Sequence, residues 1–489
     1  MERRFVPLVV SGMVLTLGLA LLAPLTVSLL YADGSWESFL MPSVAMTAAG
    51  GLGFWLTRPS SERALGYVHP KDVLLSVTFA WILAALLGGA PFLLEGTFSS
   101  PIDSTFESMS GFTTTGATLL SEVEAQTPSI LFWRSMTQWL GGIGIVVLFV
   151  GVAPVVGFGA ARLLSAEVSG ISQPRLTPRI ADTAKVLLTV YLSLTIAQVV
   201  ALLVAGMSLY DAVLHAFTTI ATGGFNPRTA SVGFYDSVAI EAVIVVFMAL
   251  SGVSFALYYV VYTGRNVSRA LRDPELLTYL GILLFATLLV WAVLVLEGDY
   301  ANDWARAFRD SVFTVTSITT TTGFVTADFD QWDTMARITL VVLMFIGGCA
   351  GSTAGGVKVV RVIVVFKTVV ADLFRGIHPR AVTPLKLGGR LLSEDARVAI
   401  LGLVLAWFAI FAVATILVAS QEDLTPLSSA TAVAATLNVI GPGLGQVGAS
   451  ESYEVVNAFG RVVLSVCMLL GRLEILTALA LLSPAFWKR

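Results

Sequence analysis

Four short segments, spaced at intervals of roughly a hundred residues, each place a glycine at the end of a small, partly polar stretch. They read TTTGA, ATGGF, TTTGF and NVIGP, and their last glycines are Gly116, Gly224, Gly323 and Gly441. A short helix-length stretch precedes each segment, and long apolar stretches flank it on both sides. The chain therefore holds four copies of a helix–half-helix–helix unit. This pattern predicts an all-α polytopic membrane protein with four pseudo-symmetric helix–pore-loop–helix repeats around one pore.

Composition places this chain in a membrane. Of its 489 residues 56% are hydrophobic and 12% are charged, whereas soluble domains carry about 25% charged residues. A helix needs about 20 apolar residues to span a bilayer. Ten stretches qualify: about 6–30, 39–57, 72–94, 131–156, 184–206, 236–262, 276–296, 335–368, 397–419 and 455–483.

Four shorter stretches are too short or too polar to cross and are predicted to be re-entrant half-helices: 101–113, 208–221, 306–320 and 426–438. The resulting division is an N-terminal transmembrane hairpin over 1–60 and repeats over 70–157, 180–263, 275–370 and 394–489, the third with a broken second helix.

Charge placement sets the orientation. Most of the 29 basic residues fall on one side of the predicted spans, together with both termini, which is the positive-inside pattern of cytoplasmic segments. The apolar run from Phe5 to Tyr31 exceeds the 7–15 residues of a signal-peptide core, so it is interpreted as a retained first span. Every glycine-bearing segment then opens outward. The longest cytoplasmic pieces, about 157–183 and 369–396, are too short for a nucleotide-binding domain.

The glycine segments have the chemistry of a cation filter. Irregular backbone at membrane depth is tolerated only where it is buried in protein or lines a watery cavity, and carbonyl oxygens there can replace an ion's hydration shell. Glycine allows positive φ without a Cβ clash. The alternative is that these segments are merely helix-packing sites. The predicted ion-binding residues are Thr114, Thr115, Gly116, Thr222, Gly223, Gly224, Thr321, Thr322, Gly323, Asn438, Val439, Ile440 and Gly441.

These segments, with 110–118, 319–324 and 438–444 as the most specific, resemble the filters of the Trk/Ktr/HKT potassium-transporter superfamily. The N-terminal hairpin makes the chain similar to TrkH-type uptake subunits, and the resemblance covers essentially the whole chain. It implies potassium as the ion, because glycine at all four positions goes with potassium preference in that superfamily. The fourth segment departs from the pattern, since Val439 and Ile440 stand where other segments have Thr or Gly.

The second span of the third repeat contains a glycine-rich interruption from Gly347 to Gly356. Each glycine costs a helix about 1 kcal/mol relative to alanine, so the helix is predicted to unwind there. The interruption resembles the intramembrane gating loop of TrkH-type proteins; a kink for close packing is the alternative. Its candidate residues are Gly347, Gly348, Gly351, Ser352, Thr353, Gly355, Gly356 and Lys358. Lys358 is expected either to take part in the gate or to snorkel from a helix end, with snorkelling favoured.

Arg472 and Glu474 lie inside the last predicted span. Charges at bilayer depth are costly and usually mark function or pair with a partner. Residues two apart do not face each other on a helix, so each needs its own partner. The resemblance implies that Arg472 lies below the filter, where it would limit cation occupancy or hold the gating loop closed through its carbonyls. A structural ion pair is the alternative.

Catalysis is not expected, because the three histidines are far apart and neither a P-loop nor an HExxH motif occurs. Together with the resemblance, the sequence predicts a gated, channel-like uptake subunit, with potassium as the ion that the resemblance implies and no organic cofactor in this chain. A potassium symporter coupled to sodium or protons is the first alternative, and a membrane scaffold or enzyme is the second. The resemblance implies a homodimer in the bacterial inner membrane with a cytoplasmic, nucleotide-binding TrkA-like subunit. Segments 157–183 and 361–397 are its candidate docking surfaces, or simply topology determinants.

Overall fold

In the computed structural model the helices form an N-terminal hairpin and four units in a closed ring. The structure describes residues 5–58, 70–151, 180–262, 264, 267–298, 300, 303–381, 383–421, 423–475, 481 and 484–487. The first predicted docking segment, 157–183, lies outside these residues up to position 179.

The hairpin comprises α1 (Phe5–Ala20), α2 (Leu22–Tyr31) and α3 (Trp36–Thr57). The first unit comprises α4 (Pro70–Gly88), α5 (Ala90–Leu94), half-helix α6 (Pro101–Phe112) and α7 (Pro128–Gly151). The second comprises α8 (Ile180–Val204), half-helix α9 (Leu209–Ile220), α10 (Val238–Ser251) and α11 (Phe255–Tyr262). After the short α12 (Val267–Ala270), the third comprises α13 (Pro274–Glu297), half-helix α14 (Trp304–Thr319), α15 (Thr334–Ile346) and α16 (Val359–Ile377). A hairpin of β1 (Lys386–Leu387) and β2 (Arg390–Leu391) leads to the fourth, which comprises α17 (Glu394–Ala419), half-helix α18 (Pro426–Leu437) and α19 (Ala458–Arg472). The last described helix is α20 (Pro484–Trp487).

Each half-helix starts at a polar cap. The side chains of Ser100, Ser208, Asp303 and Thr425 accept a hydrogen bond from a backbone N–H of the first turn, which satisfies a donor that the helix itself cannot pair. Proline follows the cap in α6 and α18, where its fixed φ suits the first helical position. Each half-helix then ends where its glycine-bearing segment begins, so the starts and stops are encoded locally.

The ring is closed by contacts between units. The second helix of each unit packs against the half-helix of the next: α7 on α9, α10 on α14, α15 on α18, and α19 on α6. Small residues permit close approach within a unit. A Cβ on Gly141 of α7 would overlap the carbonyl oxygen of Phe112, and a Cβ on Gly471 of α19 would overlap that of Leu437. These two glycines therefore occupy equivalent positions in the first and fourth units.

By length and apolarity, six helices among the described residues could cross a membrane, or seven if one bent pair counts as a single span. That pair is α10 and α11, which are bent by 93°. The prediction of one continuous span over 236–262 was therefore wrong, because the chain turns at residues 252–254. The span predicted over 335–368 is interrupted as expected, between α15 and α16.

The last predicted span, 455–483, also differs from expectation. Helix α19 ends at Arg472, and both Glu474 and Ile475 have positive φ, of 55° and 23°. Residues 476–480 lie outside the described part of the chain.

The helix–helix contact at Gly141 yields a stability prediction. Gly141→Ala forces α7 away from α6, and overpacking of this kind costs about 1–3 kcal/mol, so the detergent-solubilised protein should unfold at a lower temperature. Gly281→Ala is the matched control, because Gly281 is also helical but a Cβ there meets nothing within 4 Å. Equal unfolding temperatures for the two variants would contradict this packing.

Candidate functional site

The four glycine-bearing segments share one backbone conformation. Two positions before each final glycine, a residue with a side chain has positive φ: Thr114 (57°), Thr222 (54°), Thr321 (58°) and Val439 (61°). The final glycines follow with φ of 85° at Gly116, 79° at Gly224, 80° at Gly323 and 104° at Gly441. A left-handed residue other than glycine costs about 1–2 kcal/mol. Because four such residues stand at equivalent positions, the left-handed backbone conformation is a common feature of the four segments.

The four segments also meet one another. A Cβ added to any of the final glycines would meet a carbonyl oxygen of the next unit, that of the residue just before the next unit's final glycine. In three of the four units this oxygen lies so close that no side chain fits. The pairs are Gly116 with Gly223, Gly224 with Thr322, Gly323 with Ile440, and Gly441 with Thr115, the last at 2.9 Å from the added Cβ. The contacts run from unit to unit and return to the first. Segments roughly a hundred residues apart thus form one closed ring.

The hydroxyl groups around the ring are not equivalent. Thr113 and Thr115 share a hydrogen bond between hydroxyls of 2.8 Å, and Thr320 and Thr322 repeat it at the same length in the third unit. The fourth unit has no such pair. Its Asn438 donates to the Ala434 carbonyl oxygen at 2.8 Å, and its side-chain oxygen accepts from the Trp407 indole at 3.1 Å. The amide of Asn438 is therefore occupied by the protein.

Outside the ring, the loops that follow the glycines are joined in the same cyclic order. Glu124 accepts from the Thr229 N–H at 2.9 Å, and Asp330 accepts from the Gly445 N–H at 3.0 Å. The other two links are Val325 N–H to the Ser231 hydroxyl at 3.1 Å and Tyr453 N–H to the Thr118 carbonyl at 2.8 Å. Every pair of adjacent units is thus connected by a hydrogen bond between the loops that follow the glycines.

The two carboxylates in these links differ in their protonation behaviour. Burial is the largest influence on both and raises each pKa. At Glu124 the hydrogen bonds from Thr229 outweigh burial and leave the pKa below its usual value, whereas at Asp330 burial prevails and the pKa is raised.

Below the ring, the chain between α15 and α16 forms a buried loop, residues 347–358, which we call the intramembrane loop. A Cβ on Gly347 would overlap the Gly355 carbonyl oxygen, so the loop folds back on itself. The Gly355 N–H donates to the Thr321 hydroxyl at 2.7 Å. Because Thr321 belongs to the ring, the predicted gating residues lie directly against the predicted filter residues.

Thr353 is the contact point of this loop with the other units. Its hydroxyl lies 3.1 Å from the Ile220 carbonyl oxygen and 3.3 Å from that of Ser251, both in the second unit. Its own carbonyl accepts from Arg472 of the fourth unit at 2.8 Å, and Arg472 also donates to Gly141 of the first unit at 3.2 Å. One residue of the loop therefore connects, directly or through Arg472, to every other unit.

The charges of this region follow the expectation that each needs its own partner. Glu474 pairs with Arg361 at 2.6 Å, while Arg472 is bound by carbonyl oxygens and has no carboxylate partner among the described residues. The alternative of a structural ion pair thus applies to Glu474 and not to Arg472. Lys358 does not snorkel, which corrects the favoured expectation: it is buried and its ammonium donates to the Ala354 carbonyl within the loop.

Three parts of the site were not predicted. Glu275, in the first turn of α13, accepts from the N–H of Ala350 at 2.6 Å and from that of Val360 at 3.3 Å, so it holds the loop to the start of α16. The break between α10 and α11 in the second unit binds the intramembrane loop, because the Cys349 N–H donates to the Gly252 carbonyl at 2.9 Å. The sequence signal for this break was weak: Gly252 with Ser251 and Ser254 inside an apolar run.

The third unpredicted part is a buried ion pair between Arg134 and Glu107 at 2.8 Å. The structure buries them beside the first and second segments of the ring.

A hairpin, four units and a ring of half-helix ends define a multi-pass α-helical membrane protein. Comparison with known proteins makes this specific: the TrkH family, described as cation transport protein, matches residues 61–489. The chain belongs to this family.

Full-length relatives of the chain belong to the same family. The chain is 39% identical over 485 residues to the Trk system potassium uptake protein TrkH of Vibrio parahaemolyticus, covering 98% of each, and 36% identical over 497 residues to that of Halomonas elongata, covering 100% of each. The fold matches the crystal structure of the potassium transporter TrkH from Vibrio parahaemolyticus with a TM-score of 0.90, at 37% identity and over 100% of both chains. The predicted family and fold class are confirmed.

The Arg361–Glu474 pair provides a testable coupling. In a double-mutant cycle of Arg361→Met and Glu474→Gln, unfolding in detergent should show a coupling free energy of at least about 1 kcal/mol, because both groups are largely buried. The control cycle uses Arg375 and Asp372, which lie on the same helix but are exposed, and should give at most about 0.5 kcal/mol. Additive effects at Arg361 and Glu474 would contradict the pair.

Proposed function

We propose that this protein takes up potassium across the bacterial cytoplasmic membrane through a gated, channel-like pore whose filter is the ring of four glycine-bearing segments. The observation that carries this proposal is the cyclic contact of each final glycine with the next unit's carbonyl. A closed ring of backbone at membrane depth brings carbonyl oxygens from four sides to one place. Such oxygens can replace the hydration shell of a cation.

The electrostatics of the surrounding helices support a cation. All four half-helices end at the ring, so their C-terminal, partly negative ends are directed toward it. Two hydroxyl pairs, in the first and third units, brace the segments. The fourth unit offers no free side-chain ligand at the equivalent place, so the ion in this proposal is held by backbone carbonyls from all four units and by hydroxyls from at most three.

Potassium is the proposed ion for two reasons. Glycine stands at all four final positions, which goes with potassium preference in the resembling superfamily. The full-length relatives in Vibrio parahaemolyticus and Halomonas elongata are named potassium uptake proteins.

The intramembrane loop is the proposed gate. It lies immediately below Thr321, and its Thr353 is tied to the three other units. Arg472 holds this closed arrangement by donating to the Thr353 carbonyl, so in this proposal the arginine acts on the loop rather than as a free charge in the pore. Movement of α16, which continues directly from the loop, would open the path.

We also propose that both termini are cytoplasmic, that the units have the boundaries expected from the sequence, and that the protein is a homodimer. A cytoplasmic TrkA-like nucleotide-binding subunit would regulate it through segment 361–397. There, a groove of about 370 Å³ lies between α16 and the strand hairpin, lined by both apolar and basic side chains, among them Phe366, Lys367, Phe374 and Lys386.

The filter is tested by Gly116→Ser. A side chain at φ 85° against the Gly223 carbonyl displaces the ring, so the potassium-over-sodium permeability ratio in proteoliposomes should fall about tenfold, equivalent to about 1.4 kcal/mol of lost discrimination. Gly34→Ser is the control, because Gly34 has the same φ but nothing within 4 Å of an added Cβ. An unchanged ratio in folded Gly116→Ser would overturn the filter assignment.

The gate is tested by Arg472→Met. Removing the donor to Thr353 frees the loop, so basal potassium flux without any partner should rise roughly tenfold, the equivalent of a charged hydrogen bond of about 1.5 kcal/mol. Arg472→Lys keeps the charge but cannot span both carbonyls, and it should show a smaller rise. Wild-type flux in Arg472→Met would count against this gate.

Repeating the flux assay with an imposed proton gradient separates a channel from a symporter, since flux that requires a second ion would favour the symporter.

A further inference from the structure

The second helices of the four units carry equivalent buried positions next to the ring. Gly142 and Gly252 correspond, because an added Cβ on each meets a tyrosine hydroxyl and the glycine-bearing segment of the following unit. Gly141 and Gly471 correspond, because an added Cβ on each meets a carbonyl oxygen of the half-helix in the same unit. In the third unit the pair Gly347-Gly348 follows α15 and matches the pair Gly141-Gly142.

With these correspondences, the aligned residues of the four units are Gly141, Ser251, Gly347 and Gly471. Three positions earlier in each unit stand Gln138, Met248, Met344 and Met468. One helical turn earlier stand Arg134, Ile244, Leu340 and Leu464. All eight side chains are buried. The second, third and fourth units thus have methionine and an aliphatic residue at these buried positions, whereas the first unit has glutamine and arginine.

The side-chain amide of Gln138 makes hydrogen bonds to the backbone of the second segment of the ring. Its side-chain N–H donates to the Gly223 carbonyl at 2.7 Å, and its side-chain oxygen accepts from the Phe225 N–H at 3.0 Å. Both amide functions are therefore used, one on each side of Gly224. A methionine at this position would pack against the same segment but would fix neither bond.

Arg134 joins this segment to the first one. It pairs with Glu107 at 2.8 Å, donates to the Thr118 hydroxyl at 3.1 Å, and reaches the Asn226 carbonyl at 3.3 Å. Its guanidinium also lies 4.0 Å from the centre of the Phe225 ring. Contacts to residues on both sides of the boundary between units one and two fix the distance between them.

We propose that Gln138 and Arg134 are positioning residues that set ion selectivity by holding the Gly223 carbonyl and the second segment in register with the first. The proposal rests on the ring being the filter. It makes the filter mechanically asymmetric at these second-helix positions: the first unit holds its neighbour there by directed polar bonds, whereas the other three units have flexible apolar side chains. Buried polar groups that are fully bonded specify a geometry more tightly than apolar packing does.

The test is Gln138→Met, which gives the first unit the residue of the other three. The potassium-over-sodium permeability ratio in proteoliposomes should fall roughly three- to tenfold, the equivalent of one or two lost hydrogen bonds. Total cation flux should be retained. Gln138→Glu, which keeps the acceptor for Phe225 but loses the donor to Gly223, should lower the ratio as well and serves if the methionine variant fails to fold.

The matched control is Gln198→Met on α8, since Gln198 is also fully buried but its amide has no partner among the described residues. It should leave the ratio unchanged. A merely structural role of Gln138 would lower the unfolding temperature and total flux while leaving the ratio at the wild-type value, and that result would overturn the proposal. If Gly116→Ser still lowers the ratio in the same assay, only the positioning role falls; if neither variant alters it, the filter assignment falls too.

Discussion

The whole arrangement depends on the contact between each final glycine and the carbonyl oxygen of the neighbouring unit. Polar backbone at membrane depth must be satisfied by protein or by a watery cavity, and four half-helices that stop midway expose such backbone at one place. Left-handed φ at two positions in every segment turns the chains so that they meet there without side chains in between. Helix packing, outer links and the intramembrane loop all hold this meeting point.

The surrounding structure braces the ring from three directions. Outward, each adjacent pair of units is joined by a loop hydrogen bond. Sideways, each unit's second helix packs on the next half-helix, with the polar pair Arg134 and Gln138 at one boundary. Inward, the intramembrane loop lies against the third segment and is tied to the other units through Thr353 and Arg472. The same loop is anchored to the first turn of α13 by Glu275.

Much of this was predictable from local sequence signals. Polar caps, prolines and glycines fix where the half-helices begin and end, and five glycines in ten residues fix the break before α16. The order in which segments touch was not predictable, because it depends on packing between distant helices. The bend at Gly252 was missed since a single glycine in an apolar run usually stays helical. The buried pair of Arg134 and Glu107 was not predicted, because only the fold brings these two residues together. Lys358 was expected to reach an interface, but it is buried and bound to the Ala354 carbonyl of its own loop.

A filter at the ring requires a monovalent cation to bind within it. The most direct measurement is a crystal structure of the protein grown in rubidium, a potassium analogue, with data recorded at the rubidium absorption edge. We expect an anomalous peak surrounded by Gly116, Gly224, Gly323 and Gly441, which disappears when sodium replaces rubidium. Rubidium bound elsewhere in the membrane region, with none between these glycines in a protein that still transports it, would show that the ring is not the filter.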